Sequence, residues 1–232
     1  MKTAGLILAA GRSSRMGSFK PLVRIQGKEM IGWSIDTMLA AGIAEICVVT
    51  GHESERLCGY LMEKYAASKI PGSVRAQSVY EREDPGNLQH MDPNIFWVKN
   101  PGYQNGSLLD SIKCGINGLK ILQADAFFLT LADLPGIQKE TYHRLLEALC
   151  RDKETEKRIA IANIHGERRH PQLILSDQMD RILRYEHAGK GGLRGFWQQA
   201  EKEILDVEIH DPGCMLDMDT RQDLEAFKKS TF

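Results

Sequence analysis

The sequence predicts an α/β fold: a single three-layer domain in which a mixed, mainly parallel twisted sheet lies between helices. Three observations carry this. Short continuous apolar runs, Ala4 to Ala9 and Ala126 to Leu131, have the composition of parallel strands buried on both faces. Helical apolar patterns alternate with such runs along the chain. Gly42 and Gly51 supply stop signals where a helix and a strand pattern end. The 232 residues are enough for one sizeable core, and residues 1–232 read as one unit with no internal repeat or linker.

The elements follow in order. After Ala4 to Ala9 comes a polar loop, then a helix over Met30 to Ala41 with Ile31, Ile35, Met38 and Leu39 on one face. Glu45 to Thr50 is a second strand, and Ser54 to Ala67 is charged and helical. Residues 68–95 break the rhythm: "EREDPGNLQHMDPN" has no apolar period and reads as a loop excursion. Ile95 to Lys99 is a short strand. Ser107 starts a helix, because Asp110 three residues on completes a capping-box pattern, and Leu109, Ile112, Ile116 and Leu119 line its apolar face. Ala126 to Leu131 is a strand and Gln138 to Cys150 a helix; Arg151 to Arg158 reads as solvated surface. Ile159 to Asn163 and Gln172 to Leu175 are strands, Ser176 to Tyr185 and Gly192 to Ala200 helical, and Leu205 to Ile209 a late strand. Thr220 with Asp223 caps a final helix carrying Leu224 and Phe227.

Composition excludes several classes. A formal net charge of -1 gives no global pull toward nucleic acid or an anionic membrane. Five cysteines without a CxxC pair argue against a disulfide framework or a structural zinc site. The N-terminal apolar run is too short for a signal peptide, and no stretch approaches the roughly 20 residues of a membrane span. A reduced, cytoplasmic protein is expected.

Against this neutral background the loop after the first strand stands out. "ILAAGRSSRMGSFK" carries Arg12, Arg15 and Lys20 with no acidic residue. In open α/β sheets ligands sit beyond the carboxyl ends of strands. Gly11 and Gly17 let backbone approach a ligand, and three cations without local carboxylates suit polyphosphate. The loop is neither a Walker A motif, since five residues separate Gly11 from Gly17 and Lys20 comes two residues late, nor a G-x-G-x-x-G fingerprint.

"LAAGRSSRMGSFKPLVRIQGKEMI" (Leu8 to Ile31) resembles the signature of nucleotidyltransferases with a glycosyltransferase-A-like fold. Within these it resembles the molybdenum cofactor transferases, whose pattern runs L-A-(A/G)-G-x-S-x-R-M-G-x-x-K-x-L. Leu8, Ala9, Ala10, Gly11, Ser13, Arg15, Met16, Gly17, Lys20 and Leu22 meet it. The resemblance implies that Leu8 to Ser13, Arg12 included, hold the nucleotide, and that Arg15 and Lys20 grip its triphosphate and act in catalysis.

"LTLADLPGI" places Asp133 at the carboxyl end of a buried strand, where it either binds magnesium beside a triphosphate or caps a turn. The family's L-x-x-D-x-P here implies the metal role. "MLDMDTRQDLEAF" holds Asp217, Asp219 and Asp223; Asp223 belongs to the cap, and the family's D-(I/V)-D-T-x-x-D-L implies that Asp219 is the second Mg²⁺ ligand, with Asp217 supporting the loop. "DMD" also has the D-x-D form of sugar transferases, but those carry it mid-chain.

On the acceptor side, "NPGYQNGSLLDSIKCGI" is a polar turn feeding a capped helix. It resembles N-P-x-(W/Y)-x-x-G-x-x-x-S-(L/I)-x-x-G with Tyr103, Gly106, Ser111 and Gly115 in register, which implies that Gly106 and Ser111 lie beside the nucleotide. "ERRHPQLI" resembles R-x-(H/N)-P-(V/L) through Arg168 or Arg169, His170 and Pro171, which implies acceptor binding by His170 and Pro171. "HAGKGGLRGFW" resembles G-D-x-G-(A/L)-R, with Lys190 where an acidic or polar residue is usual; Gly191, Gly192 and Arg194 would hold an acceptor phosphate.

The resemblance covers Leu8 to Phe227. It implies Mg²⁺-dependent nucleotidyl transfer from a nucleoside triphosphate, CTP favoured by "LAAG", to molybdopterin, for delivery to a molybdenum hydroxylase apo-enzyme. A guanylyltransferase, a sugar-phosphate or phospholactate nucleotidyltransferase and a non-catalytic cofactor carrier are the alternatives.

Overall fold

A computed structural model describes residues 1–12, 17–69, 94–151, 156–186, 193–218, 220, 222, 223, 225 and 227. Its frame is an eight-stranded sheet. Five strands form a parallel core: β1 (Thr3–Ala9), β4 (Glu45–Thr50), β5 (Ser68–Lys69), β6 (Asn94–Lys99) and β7 (Ala126–Leu131). The order is β10-β8-β9-β7-β1-β4-β6-β5, with β8 at Ile159–Ile164, β9 at Glu167–Leu175 and β10 at Ile204–Glu208. Among the described strands of this sheet β9 alone runs antiparallel to both its neighbours. A separate hairpin pairs β2 (Arg24–Ile25) with β3 (Lys28–Glu29).

Helices cover both faces, so the expected three layers are present. On one face lie α1 (Met30–Ala40), α2 (Ser54–Tyr65) and α4 (Lys139–Arg151), which bury Ile31, Ile35, Met38, Leu57, Leu61, Tyr142 and Leu145 against Ile7, Val48 and Phe128. On the other lie α3 (Leu108–Leu119), α5 (Met179–Arg184) and α6 (Arg194–Gln199). There Leu109, Ile112, Ile116, Ile182 and Phe196 close over Leu6, Leu8, Val49 and Leu129. Alternation of side chains along each strand sends successive residues to opposite cores, which is why continuous apolar runs are required. The capping box of α3 is formed as expected: Asp110 N–H donates to Ser107 Oγ at 3.3 Å, and Ser107 N–H donates to Asp110 Oδ2 at 2.6 Å. Thr220 and Asp223 make the same reciprocal pair.

The structure corrects four boundaries. The strand expected at Gln172 to Leu175 begins at Glu167, because His165 and Gly166 take positive φ (52° and 85°) and close a tight hairpin onto β8. The helix expected to run to Ala67 ends at Tyr65, where Ala66 turns left-handed at φ 49°. The ends of the expected excursion at 68–95 are strands, β5 and the start of β6; residues 70–93 lie outside the described residues, as do residues 152–155 of the charged segment. The helix expected from Gly192 starts at Arg194. Among the described residues no helix is long and apolar enough to cross a membrane.

Packing of α3 on the sheet depends on absent side chains. A Cβ at Gly115 would sit 2.4 Å from Leu6 Cδ1 and 2.8 Å from Val49 Cγ2, both on fully buried residues. Alanine gains about 1 kcal/mol of helix propensity over glycine, yet overpacking a filled core costs about 1–3 kcal/mol. Gly115→Ala is therefore expected to lower unfolding stability by up to about 2 kcal/mol net, read as a fall in the urea midpoint; a raised midpoint refutes this packing.

Candidate active site

The parallel register brings several loops out level at the carboxyl edge. Ala9 pairs with Thr50, Leu8 with Leu131 and Thr50 with Lys99, so the chain leaves the sheet together at Ala10, Gly51, Asn100 and Ala132. Gly51 packs where no side chain fits: a Cβ would meet Ala10 O and Tyr103 Cβ, each at 2.7 Å. His52 N–H donates to Ala10 O at 3.2 Å. The His52 ring stands between Phe19 (centroids 5.9 Å, edge-on) and Tyr103 (6.3 Å). Leu8, Ala9 and Ala10 are buried in this floor, while Gly11 and Arg12 emerge exposed and Gly17 turns back at φ 66°.

Lys20 and Asp133 meet across this edge. Pro21 starts a short 3-10 turn over Lys20–Leu22, which holds the lysine at 8% exposure. Ala132 N–H donates to Leu8 O at 3.1 Å, extending the ladder by one residue and placing Asp133 next to it. Lys20 Nζ lies 3.2 Å from Asp133 Oδ2. No hydrogen bond reaches Asp133 Oδ1 from the described residues. Met218 N–H donates to Asp133 O at 3.1 Å, so the end of the chain also arrives here.

That arrival is fastened by Asp211. Its Oδ2 accepts Gln138 N–H and Thr141 Oγ1–H, each at 2.7 Å, at the start of α4, and its Oδ1 accepts Gly213 N–H at 2.9 Å. Gly213 then crosses Gly136 so closely that a Cβ would lie 1.8 Å from Gly136 O. Met218 and Phe227 pack on Ile25 and Met30 beyond.

His170 flanks the same edge. Its Nδ1–H donates to Leu129 O at 3.1 Å, and Nε2 has no hydrogen-bond partner among the described residues. Burial pushes the His170 pKa below its ordinary value, with the Leu129 carbonyl and the Asp133 charge acting the other way. Pro171 beside it is buried and has no N–H to give the ladder. The β8–β9 register shifts here, from Gln172 opposite Ile161 to Arg169 opposite Ala162. Arg168 is taken up elsewhere: its guanidinium bonds both oxygens of Asp206 and both of Glu201 at 2.7–2.8 Å.

Of the nucleotide-side residues, Ser111 is buried and accepts Asn100 Nδ2–H at 2.9 Å. Asn100 Oδ1 in turn accepts Gly102 N–H at 2.9 Å. Gly106 sits 2.8 Å, measured from its would-be Cβ, from Gly102 O. These bonds hold the turn that presents Tyr103. Arg194 is exposed at the start of α6. Ser13, Arg15, Lys190, Gly191, Gly192 and Asp219 lie outside the described residues. Among the described residues no three His, Cys, Asp or Glu gather around one point. Sequence reasoning missed Phe19, His52 and Asp211. His52 carried the one available signal, a polar residue just past the carboxyl end of a buried strand.

The chain is a nucleotidyltransferase domain: a parallel-cored sheet with one reversed strand that carries a lysine–aspartate pair at its carboxyl edge. Residues 5–204 match the MobA-like NTP transferase domain, and the chain belongs to that family. A 2-aminoethylphosphonate cytidylyltransferase of Lancefieldella rimae is 39% identical over 71 residues, 28% of each chain. The bifunctional protein GlmU of Cutibacterium acnes is 24% identical over 82% of this chain and 35% of its own. The matched regions thus span about a third or less of those relatives. Among solved structures, a nucleotidyl transferase from Methanothermobacter superposes with a TM-score of 0.69 at 19% identity, covering 98% of this chain and 96% of that one. A CMP:2-keto-3-deoxy-manno-octonic acid synthetase complexed with CTP gives 0.64 at 15% identity (98% and 97%). A Mycobacterium tuberculosis protein complexed with manganese gives 0.60 at 17% (100% of both).

The depressed pKa of His170 fixes a sign. The unfolded chain takes up a proton near the ordinary value of 6.5, whereas the folded chain resists it. The contribution of His170 to stability is full above that pH and is lost as pH falls toward the folded pKa. We expect the thermal midpoint of the wild type to drop more steeply below about pH 6.5 than that of His170→Asn; parallel pH profiles of the two proteins exclude the assignment.

Proposed function

We propose that this chain transfers a cytidylyl group from CTP to a phosphate of molybdopterin, releasing pyrophosphate. The observation that carries nucleotidyl transfer is the Lys20–Asp133 pair at 3.2 Å, set at the carboxyl edge beside the basic loop. An acceptor phosphate oxygen attacks the α-phosphorus in line, a new P–O bond forms, and the α–β bridging bond breaks with its electron pair leaving on pyrophosphate. Lys20 shifts from the carboxylate to the phosphate oxygens and offsets charge that develops on the leaving group; Arg15 joins it. Ala10, Gly11 and the level turn at Gly51 present backbone to the nucleotide, and Tyr103 and His52 offer ring faces to its base.

The donor set fits a divalent ion: Asp133 has an oxygen without a hydrogen-bond partner among the described residues, and Mg²⁺ takes few carboxylates and completes its shell with phosphate and water. Asp133 and Asp219 would hold it, supported by the Met218–Asp133 backbone bond that ties the preceding residue to the site. When bound, the ion supplies charge neutralisation on the α-phosphate and pyrophosphate.

CTP is supported by the "LAAG" start of the loop and by the cytidylyl-transferring proteins among those similar in sequence or fold. The Lancefieldella relative favours a second reading, a phosphonate acceptor such as 2-aminoethylphosphonate in place of molybdopterin. A carrier without catalysis has no use for an ion-paired lysine and carboxylate facing a triphosphate.

The test offers CTP, GTP, ATP and UTP separately, with Mg²⁺ and either molybdenum-loaded molybdopterin or 2-aminoethylphosphonate, and follows pyrophosphate. CTP with molybdopterin is the expected productive pair; turnover with GTP alone removes the cytidylyl reading. Asp133→Asn is expected to lower kcat by about 10²–10³-fold and Lys20→Met by a similar factor with a raised KM for CTP, both remaining folded. Pyrophosphate release by Asp133→Asn at the wild-type rate refutes the assigned chemistry.

A further inference from the structure

Gln172 is one of six described residues with a buried side-chain polar atom that no hydrogen bond reaches, and it lies on the strand that carries His170. It pairs with Leu129 on β7 and Ile161 on β8. Leu129, Ile161 and, two residues along, Ile174 all belong to the core under α3, α5 and α6, so Gln172 leaves the sheet on that face. It is 8% exposed, and its Oε1 is buried without a hydrogen-bond donor among the described residues. An apolar side chain would fill this place without that cost.

Its place on the strand points to a reason. β9 runs antiparallel to β7, so falling residue numbers lead toward the carboxyl edge where Asp133 lies. Gln172 is the last residue before the β8–β9 register shift, and His170 beyond it bonds the carbonyl of Leu129, the ladder partner of Gln172. Gln172 therefore lies level with Leu129, three residues short of Ala132 where the chain leaves the sheet, on the face where Ser111 of α3 is also buried.

We propose that Gln172 is a specificity-determining residue for the acceptor: its Oε1 accepts a hydrogen bond from an N–H group of the bound acceptor. This rests on reading the edge as a nucleotidyl-transfer site. Molybdopterin, through its pterin, and 2-aminoethylphosphonate, through its amine, both carry such a donor. A buried acceptor atom left unpaired in the free protein and paired by substrate rejects analogues lacking the donor.

The test compares wild type with Gln172→Met, which keeps an unbranched chain of similar length and removes both polar atoms. Steady-state kinetics use CTP, Mg²⁺ and whichever of the two acceptors the wild type turns over. The variant should raise the KM for the acceptor about tenfold while the KM for CTP stays within about twofold. The free variant should melt about 2–4 °C higher, because an unpaired buried polar group has been removed. An unmoved acceptor KM, or a lowered melting temperature, overturns the proposal. If the wild type turns over neither acceptor, that failure belongs to the functional reading; the melting temperature then decides for Gln172 alone, a rise supporting and a fall overturning it.

Discussion

The register of β1 between β4 and β7 governs everything at the carboxyl edge. A one-residue slip in a strand moves the following turn by about 3.3 Å and exchanges its two faces. Here both faces are apolar, so burial alone does not forbid the slip. Size does. On one face Gly5 leaves room for Met38, whose sulfur would lie 2.7 Å from a Cβ there; on the other, Leu6 fills the space left by Gly115. A slip in one direction would drive Leu6 into Met38, and a slip in the other would set Gly5 against Gly115 and leave a void. Small-against-large packing on opposite faces thus sets the height at which Ala10, Gly51 and Asp133 emerge, and with it the geometry available to a ligand.

Charge at that edge is arranged by the same constraint. The basic loop has no acidic residue of its own; the carboxylate that meets Lys20 comes from a strand 113 residues later. Pairing lets a lysine sit at 8% exposure, which an isolated ammonium would resist. The pair is also reversible in use, since a triphosphate offers the lysine better partners. Arg168 shows the opposite arrangement. Two carboxylates bind it in forked contacts on an outer hairpin, so its charge is spent on fastening β9 to β10 and to the turn after α6.

What the sequence made legible was local. The capping box at Ser107, the apolar strands and the carboxyl-end position of Asp133 each depend on a few adjacent residues. The length of β9 was not legible, because His165 and Gly166 do not resemble the commonest hairpin turns and Pro171 argues against an interior strand; the register shift beside Pro171 resolves that conflict. Ser111 was legible as a motif residue, but its bond to Asn100 depends on α3 folding back over β6. Phe19 and His52 come together through tertiary contact alone, as does Asp211, which lies 73 residues from the backbone amide it caps.

Asp211 shows why the chain's last segment had to be tied before it could serve the edge. The residues from 209 onward follow the outermost strand β10 and must return across β8, β9 and the start of α4 to reach β7. Ordering such a return costs roughly 1–2 kcal/mol of backbone entropy per residue. The contacts that offset it are concentrated at three points: the Asp211 carboxylate on Gln138 and Thr141, the glycine-on-glycine crossing at Gly136 and Gly213, and the bond from Met218 to Asp133. Each lies on the loop between β7 and α4 or at the start of α4. The strand that supplies Asp133 and the segment that follows Asp211 are therefore held by one loop, so a shift in either carries the other with it.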